Sequence, residues 1–291
     1  MRTPVTLVAF IIGLIVLFGL TVSLGESFGR LFGLGVSEGS GAVAGDGDDH
    51  HDERHEGPGG LAIADQGYVL LPATTRFPVR EVDEFRFNIF TVDRVPVTEF
   101  ATDQDQQDQR MKLVLVRRDL TGYQQLRPTM KPDGTWTVSV RFDEPGSYRA
   151  FAIFRPGSST EPVTLGVDLA VPGLVESEAV PQPSPLARVD DYTVMLDGTV
   201  IAGGISRLYL SVLRDDEPVT DLQPYLGPSG HLVMLREGDL GYLRVDPLPS
   251  TRSGPTIAFD AGVPTPGYYR VFLDFRHSGE VRTAEFTVLA S

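Results

Sequence analysis

Three of the five histidines, His50, His51 and His55, crowd into one short stretch with Asp46, Asp48, Asp49, Asp52, Glu53 and Glu56. Imidazole and carboxylate together suit divalent metals such as copper or zinc, and a pliable segment can wrap around one. The same composition also makes a solvated acidic spacer. Nothing in it fixes a geometry, so selectivity for one metal is not expected. In the remaining sequence the histidines are His231 and His277. A Ser–His–acid triad would have to use one of them, and no serine is placed with either by any motif. No P-loop, dinucleotide glycine fingerprint, G-x-S-x-G elbow or H-E-x-x-H pair is present. With no cysteine there is no disulfide, thiolate metal site or cysteine nucleophile. A net charge of −14 argues against nucleic-acid binding, because a polyanion is repelled. The chain therefore reads as a non-enzyme. A paired-carboxylate hydrolase is the one catalytic class that geometry alone would decide.

The histidine stretch lies within Ser37 to Gly60, a Gly-, Asp- and His-rich run without apolar periodicity that reads as a flexible linker, and the whole tether is expected over 25–60. Before it, residues 5–24 are almost wholly apolar and uncharged. About 20 such residues span a bilayer core as a helix. Residues 1–4 form a short stub carrying Arg2, which favours a cytoplasmic N-terminus and extracytoplasmic domains. A cleaved signal peptide is the competing reading. Its apolar core is usually shorter, and the nearest small-x-small site, Ala42-Val43-Ala44, is too distant.

From Leu61 the pattern becomes short alternating strands between Gly, Pro and Asp turns. Phe85, Phe87 and Ile89 alternate with polar neighbours, as do Trp136, Val138, Val140 and Phe142. Leu113-Val114-Leu115-Val116 reads as a strand covered on both faces. The design then repeats. Pro96-Val97-Thr98 returns as Pro218-Val219-Thr220, LVLVRRDLTGYQQLRP from Leu113 as LVMLREGDLGYLRVDP from Leu232, and Pro145-Gly146 as Pro266-Gly267, at offsets of 122, 119 and 121 residues. The expected fold is all-β, with two tandem immunoglobulin-like β-sandwich domains over 61–173 and 188–291, joined by a linker at 174–187. Trp136, Phe142, Phe151 and Phe154 are expected in the first core, and Leu208, Leu210, Phe272 and Phe275 in the second. Tyr148 and Tyr269 either tie a corner through the phenol or sit as ordinary half-buried strand tyrosines. His277 reads as an exposed hairpin residue.

At these strings the chain resembles actinobacterial membrane-anchored or secreted proteins with two YtkA-like or FixH-like β-sandwich domains. The resemblance covers nearly all of 61–291. It rests on Val95-Pro96-Val97-Thr98, LVLVRRDLTGYQQLRP and Gly134-Thr135-Trp136. In the second domain it rests on DLQPYLGPSGHLVMLREGDLGYLRVDP, PGYYRVFLDF and VRTAEFTV. Members of that group often carry histidines in these strings, which implies metal handling, with copper as the expected metal. Here the first-domain positions hold Lys112, Gln125 and Arg127. In the second domain His231 stays, while Arg244 and Asp246 replace the other two histidines. The resemblance therefore leaves His231 and Asp246 as the pair that could still donate to a metal. The expectation is a membrane-anchored extracytoplasmic binding or assembly protein with an unidentified protein partner. Metal sequestration or sensing through His50, His51, His55, His231 and Asp246 is the rival.

Overall fold

A computed structural model describes residues 57–102, 110–157, 159, 161–226, 230–248 and 254–291. The expected anchor, the stub and His50, His51 and His55 lie outside the described residues. Among those described, no helix is long and apolar enough to cross a membrane.

Among the described residues the first half supplies nine strands: β1 (Ala64–Asp65), β2 (Tyr68–Pro72), β3 (Val82–Thr91), β4 (Met111–Arg117), β5 (Gln124–Leu126), β6 (Thr129–Met130), β7 (Trp136–Arg141), β8 (Gly146–Phe154) and β9 (Val163–Val171). They form two sheets, β1-β2-β3-β7-β6 and β5-β4-β8-β9, with antiparallel pairing throughout. The second half repeats the plan with β10 (Leu186–Val189), β11 (Tyr192–Asp197), β12 (Gly204–Arg214), β13 (Glu217–Pro218), β14 (His231–Arg236), β15 (Val245–Pro247), β16 (Thr256–Val263), β17 (Gly267–His277) and β18 (Glu280–Ala290). Its sheets are β10-β11-β12-β16-β15, with β13 on β12, and β14-β17-β18. The described residues are all-β, and each half is a sandwich of two sheets with the strand partition of an immunoglobulin-like domain.

Alternation selects the inner faces. Phe85, Phe87, Trp136, Phe142 and Phe154 fill the first core, and Leu208, Leu210, Phe259, Phe275 and Phe286 the second. Turn chemistry sets the strand ends. In Lys131-Pro132-Asp133-Gly134 the Gly134 amide donates to Lys131 O at 3.0 Å, and Gly134 takes φ +82°, a value costly for residues with a Cβ. The Tyr148 hydroxyl donates to Glu144 O at 2.8 Å and that of Tyr269 to Thr265 O at 2.7 Å. Each ties the entry of β8 or β17 to the chain four residues upstream, as in a tyrosine corner.

Phe151 and Phe272 depart from expectation. Neither lies in a sandwich core. Both join a third apolar cluster with Val114, Val116 and Leu120 of the first half and Val233, Leu235 and Leu240 of the second. On β8 the core-facing parity holds Ala150 and Ala152, so Phe151 points away from the core. The doubly covered reading of β4 is met: one face fills its own sandwich, the other a seam between sandwiches. The connecting segment is also more than a spacer. Val180 packs on the seam, the Glu178 amide donates to Asp119 Oδ2 at 3.0 Å, and the Ser184 amide to Thr287 O at 3.2 Å. The end of the tether is fastened likewise. Gly59 and Tyr242 exchange two backbone hydrogen bonds at 2.8 and 3.0 Å, and the Gly60 amide donates to Thr164 O at 3.0 Å. A Cβ on Gly60 would sit 2.3 Å from the Phe151 ring, and one on Gly166 only 1.9 Å from Gly60 O, so both positions need glycine.

Candidate functional site

Within the largely apolar seam Arg149 donates to Asp239 O at 3.4 Å and the Arg270 guanidinium lies over the Phe272 ring, and at one corner a further group of buried polar and ionisable side chains gathers. On β14, His231 shares the parity of Val233 and Leu235. On β4, Lys112 shares that of Val114 and Val116. Asp274 stands directly opposite His231 across β14–β17, and Thr283 directly opposite Asp274 across β17–β18. Tyr123, just before β5, lays its ring on Phe272 with centroids 4.2 Å apart and planes 4° apart. Its hydroxyl thereby reaches across the seam and donates to Asp274 Oδ2 at 2.7 Å. Thr283 donates to Asp274 Oδ1 at 2.6 Å. Gln125 Oε1 lies 3.2 Å from the same Tyr123 oxygen.

Burial decides the protonation of this corner. Asp274 is 1% exposed. Loss of water pushes its carboxyl up to about 6, the Thr283 and Tyr123 hydroxyls hold it down, and the Glu285 charge adds to the rise. Burial first, then the Asp274 charge and hydrogen bond, push the Tyr123 phenol well above its ordinary range. Burial, and secondarily the Lys112 charge, hold the His231 imidazole well below its ordinary value, so it is neutral. His231 Nδ1 and Gln125 Nε2 are shut away from water without a hydrogen-bond partner among the described residues. At the rim the Arg127 guanidinium stacks over Tyr225, 4.7 Å from its centroid. The corner joins the two sandwiches through the Asp274 carboxyl, whose burial raises its affinity for a proton.

The two residues left by the resemblance are handled differently. His231 enters this corner. Asp246 lies on β15, in the other sheet of its sandwich, 59% exposed, and takes the Arg244 guanidinium at 2.9 Å. Arg244 also pairs with Glu161 of the first sandwich. Among the described residues no three His, Asp or Glu side chains are grouped to hold a metal. His277 differs from the expected exposed turn. It ends β17 at 8% exposure, with Nδ1 2.7 Å from the Tyr192 hydroxyl and Nε2 3.0 Å from Asp221 Oδ1. Tyr192 is 1% exposed beneath the guanidinium groups of Arg282 and Arg214. With its hydroxyl sealed in, this Asp–His–Tyr chain fastens the β17–β18 hairpin to β11 and to the segment before β14. Tyr123, Asp274 and Thr283 escaped the sequence reading, although Asp274 sits in the apolar run Val271-Phe272-Leu273-Asp274-Phe275 on the parity of Phe272.

Residues 187–291 match a family described as a domain of unknown function, DUF8832. The match spans the second sandwich. No curated protein matches the chain. Among solved structures, the Escherichia coli adhesin FdeC is 14% identical, with 79% of this chain and 66% of that chain covered and a TM-score of 0.25. The D0–D1 domain of intimin is 11% identical over 75% and 96% of the two chains, at a TM-score of 0.22. Domains 4–9 of the surface-layer protein SbsC are 12% identical over 77% and 31%, at 0.22.

Proposed function

We propose that this chain is a non-enzymatic extracytoplasmic protein of binding or assembly, held to a membrane by residues 5–24. In this reading the sandwich pair works as one body. The observation that carries it is the seam. Eight buried apolar side chains, a cross-sandwich hydrogen bond to Asp274 and two fastened segments join the halves. A face consumed in this way presents the remaining loops and outer sheets in a fixed relation, which suits a scaffold. In the Asp221–His277–Tyr192 chain the Tyr192 hydroxyl is buried against His277, which favours fastening over catalysis.

Protease added to intact cells expressing the full chain tests the placement. Digestion of the β-sandwiches from outside, together with detergent-dependent extraction, is expected. A soluble, protease-protected chain would sink the reading. Isothermal titration of the full chain in detergent with copper and zinc separates the rival: affinity tighter than about micromolar would redirect the function to metal sequestration.

A further inference from the structure

The seam has an approximate two-fold symmetry. Tyr123 of the first sandwich lies on Phe272 of the second, and Tyr242 of the second lies against Phe151 of the first, with ring centroids 5.6 Å apart. These are counterpart positions of the repeat, separated by 119 residues for the tyrosines and 121 for the phenylalanines. Arg117–Asp119 and Arg236–Asp239 are matching ion pairs beside it. Each sandwich also takes a flanking segment on its last strand, Gly60 donating to Thr164 O and Ser184 to Thr287 O, although these two acceptors are not counterparts. The same patch on both partners, meeting its own likeness, is the signature of an isologous dimer interface. Here it is closed between two halves of one chain.

We propose that this seam exchanges between two copies of the chain, the first sandwich of each closing on the second sandwich of the other. The occupant of each opened face is then a second copy of this protein. Every side-chain contact across the seam, including Tyr123 on Asp274, is re-formed in trans, so exchange sacrifices little besides chain freedom. The hinge is the strandless segment 172–185, which gives the seam the Val180 side chain, the Glu178 carboxylate 3.9 Å from Arg117, and two backbone donors. Pairing of unlike sandwiches is favoured by the polar corner. The counterpart of Asp274 is Ile153, and that of His231 is Lys112. Two first sandwiches face to face would set lysine against lysine and turn the Tyr123 hydroxyl toward an apolar residue. This inference rests on the assembly half of the proposed function and names its partner. Its test reads chain-to-chain closure alone, so its failure would leave extracytoplasmic placement and binding of other molecules standing.

Arg244 and Glu161 pair across the seam's rim at half-exposed positions, and the chain has no cysteine of its own. Full chains carrying Glu161→Cys or Arg244→Cys, alone, mixed, or combined in one chain, are refolded together in detergent and treated with a short bis-maleimide. The combined variant should link within one chain. Closure within a chain acts at an effective concentration on the order of millimolar. The mixture should therefore yield a covalent two-chain product that grows as protein concentration approaches that range. Two results overturn the proposal: mixed chains that never link while the combined variant does, or a single variant that dimerises as readily as the mixture.

Discussion

The two aromatic contacts of the seam occupy counterpart positions, yet their surroundings have parted. Tyr242 meets Phe151 beside Ile153, whereas Tyr123 lies flat on Phe272 beside Asp274. The apolar frame survives in both copies because area and rough volume are all it requires. The polar corner exists once. Burying a carboxyl costs stability, and what it gains is a hydrogen bond that a second apolar corner could not supply. One interface thus holds a permissive end and a selective end.

Truncating the rings tests the frame at both ends and should give the largest effects. Phe272→Ala and Phe151→Ala are each expected to lose about 3–5 kcal/mol, the range for emptying a buried aromatic site. The loss should be greater at Phe272, which also positions the Tyr123 hydroxyl. Urea unfolding should then split into two transitions as the sandwiches uncouple. A single unshifted transition would show that the seam contributes little.

The selective end should reveal itself through pH. The Asp274 carboxyl lies at about 6 in the folded chain against an ordinary value of 3.8. The fold binds that proton more tightly than the unfolded chain does. This contribution is therefore fully present below pH 3.8 and lost as pH rises through about 6, a total on the order of 3 kcal/mol. His231, held low, acts in the opposite sense, losing stability as pH falls below 6.5. The difference between Asp274→Asn and the parent isolates the carboxyl. The Asn variant should gain relative stability as pH climbs from 4 to 7, read by thermal melts, and a flat difference would refute the assignment.

A third contrast concerns the fastened tether. Gly166 lies directly opposite Phe151, and its counterpart opposite Phe272 is Glu285. Glycine is needed only where Gly60 crosses the sheet. Gly166→Ala should cost about 1–3 kcal/mol through overpacking. Amide exchange at Gly60 and Tyr242 should accelerate while the sandwich cores stay protected.

Strand parity, the duplication and both cores could be read directly from residue types, because period-two burial writes itself into the sequence. The seam could be read only in half. Leu113–Val116 announced two covered faces without saying what covered the second. Phe151 and Phe272 are large aromatics on the outer parity of their strands, whose core-facing parity holds Ala150 and Ala152 in β8 and Val271 and Leu273 in β17, and size alone points them to the wrong cluster. The polar corner was hidden for another reason. Tyr123 and Asp274 are 151 residues apart in the chain, and only the packing of two finished sandwiches makes them neighbours. His277 misled because the adjacent Ser278-Gly279 turn is exposed, while strand alternation turns its ring inward onto Tyr192.

The smallest expected effect bears on how faithfully the copies were kept. Tyr148 and Tyr269 tie the same corner by bonds of 2.8 and 2.7 Å, and Tyr269 also lies 3.1 Å from Thr265 Oγ1. Replacing either by Phe removes one hydroxyl and its hydrogen bond, a loss of about 1 kcal/mol. Because Thr265 remains as a second polar neighbour, Tyr269→Phe should cost somewhat more than Tyr148→Phe, measured as the shift in melting temperature. If Tyr148→Phe proved neutral while Tyr269→Phe did not, the first corner would be held by ring packing against Phe142, 4.7 Å between centroids, and not by its hydroxyl. The two sandwiches would then differ in what fixes β8 and β17, the strands that carry Phe151 and Phe272 into the seam.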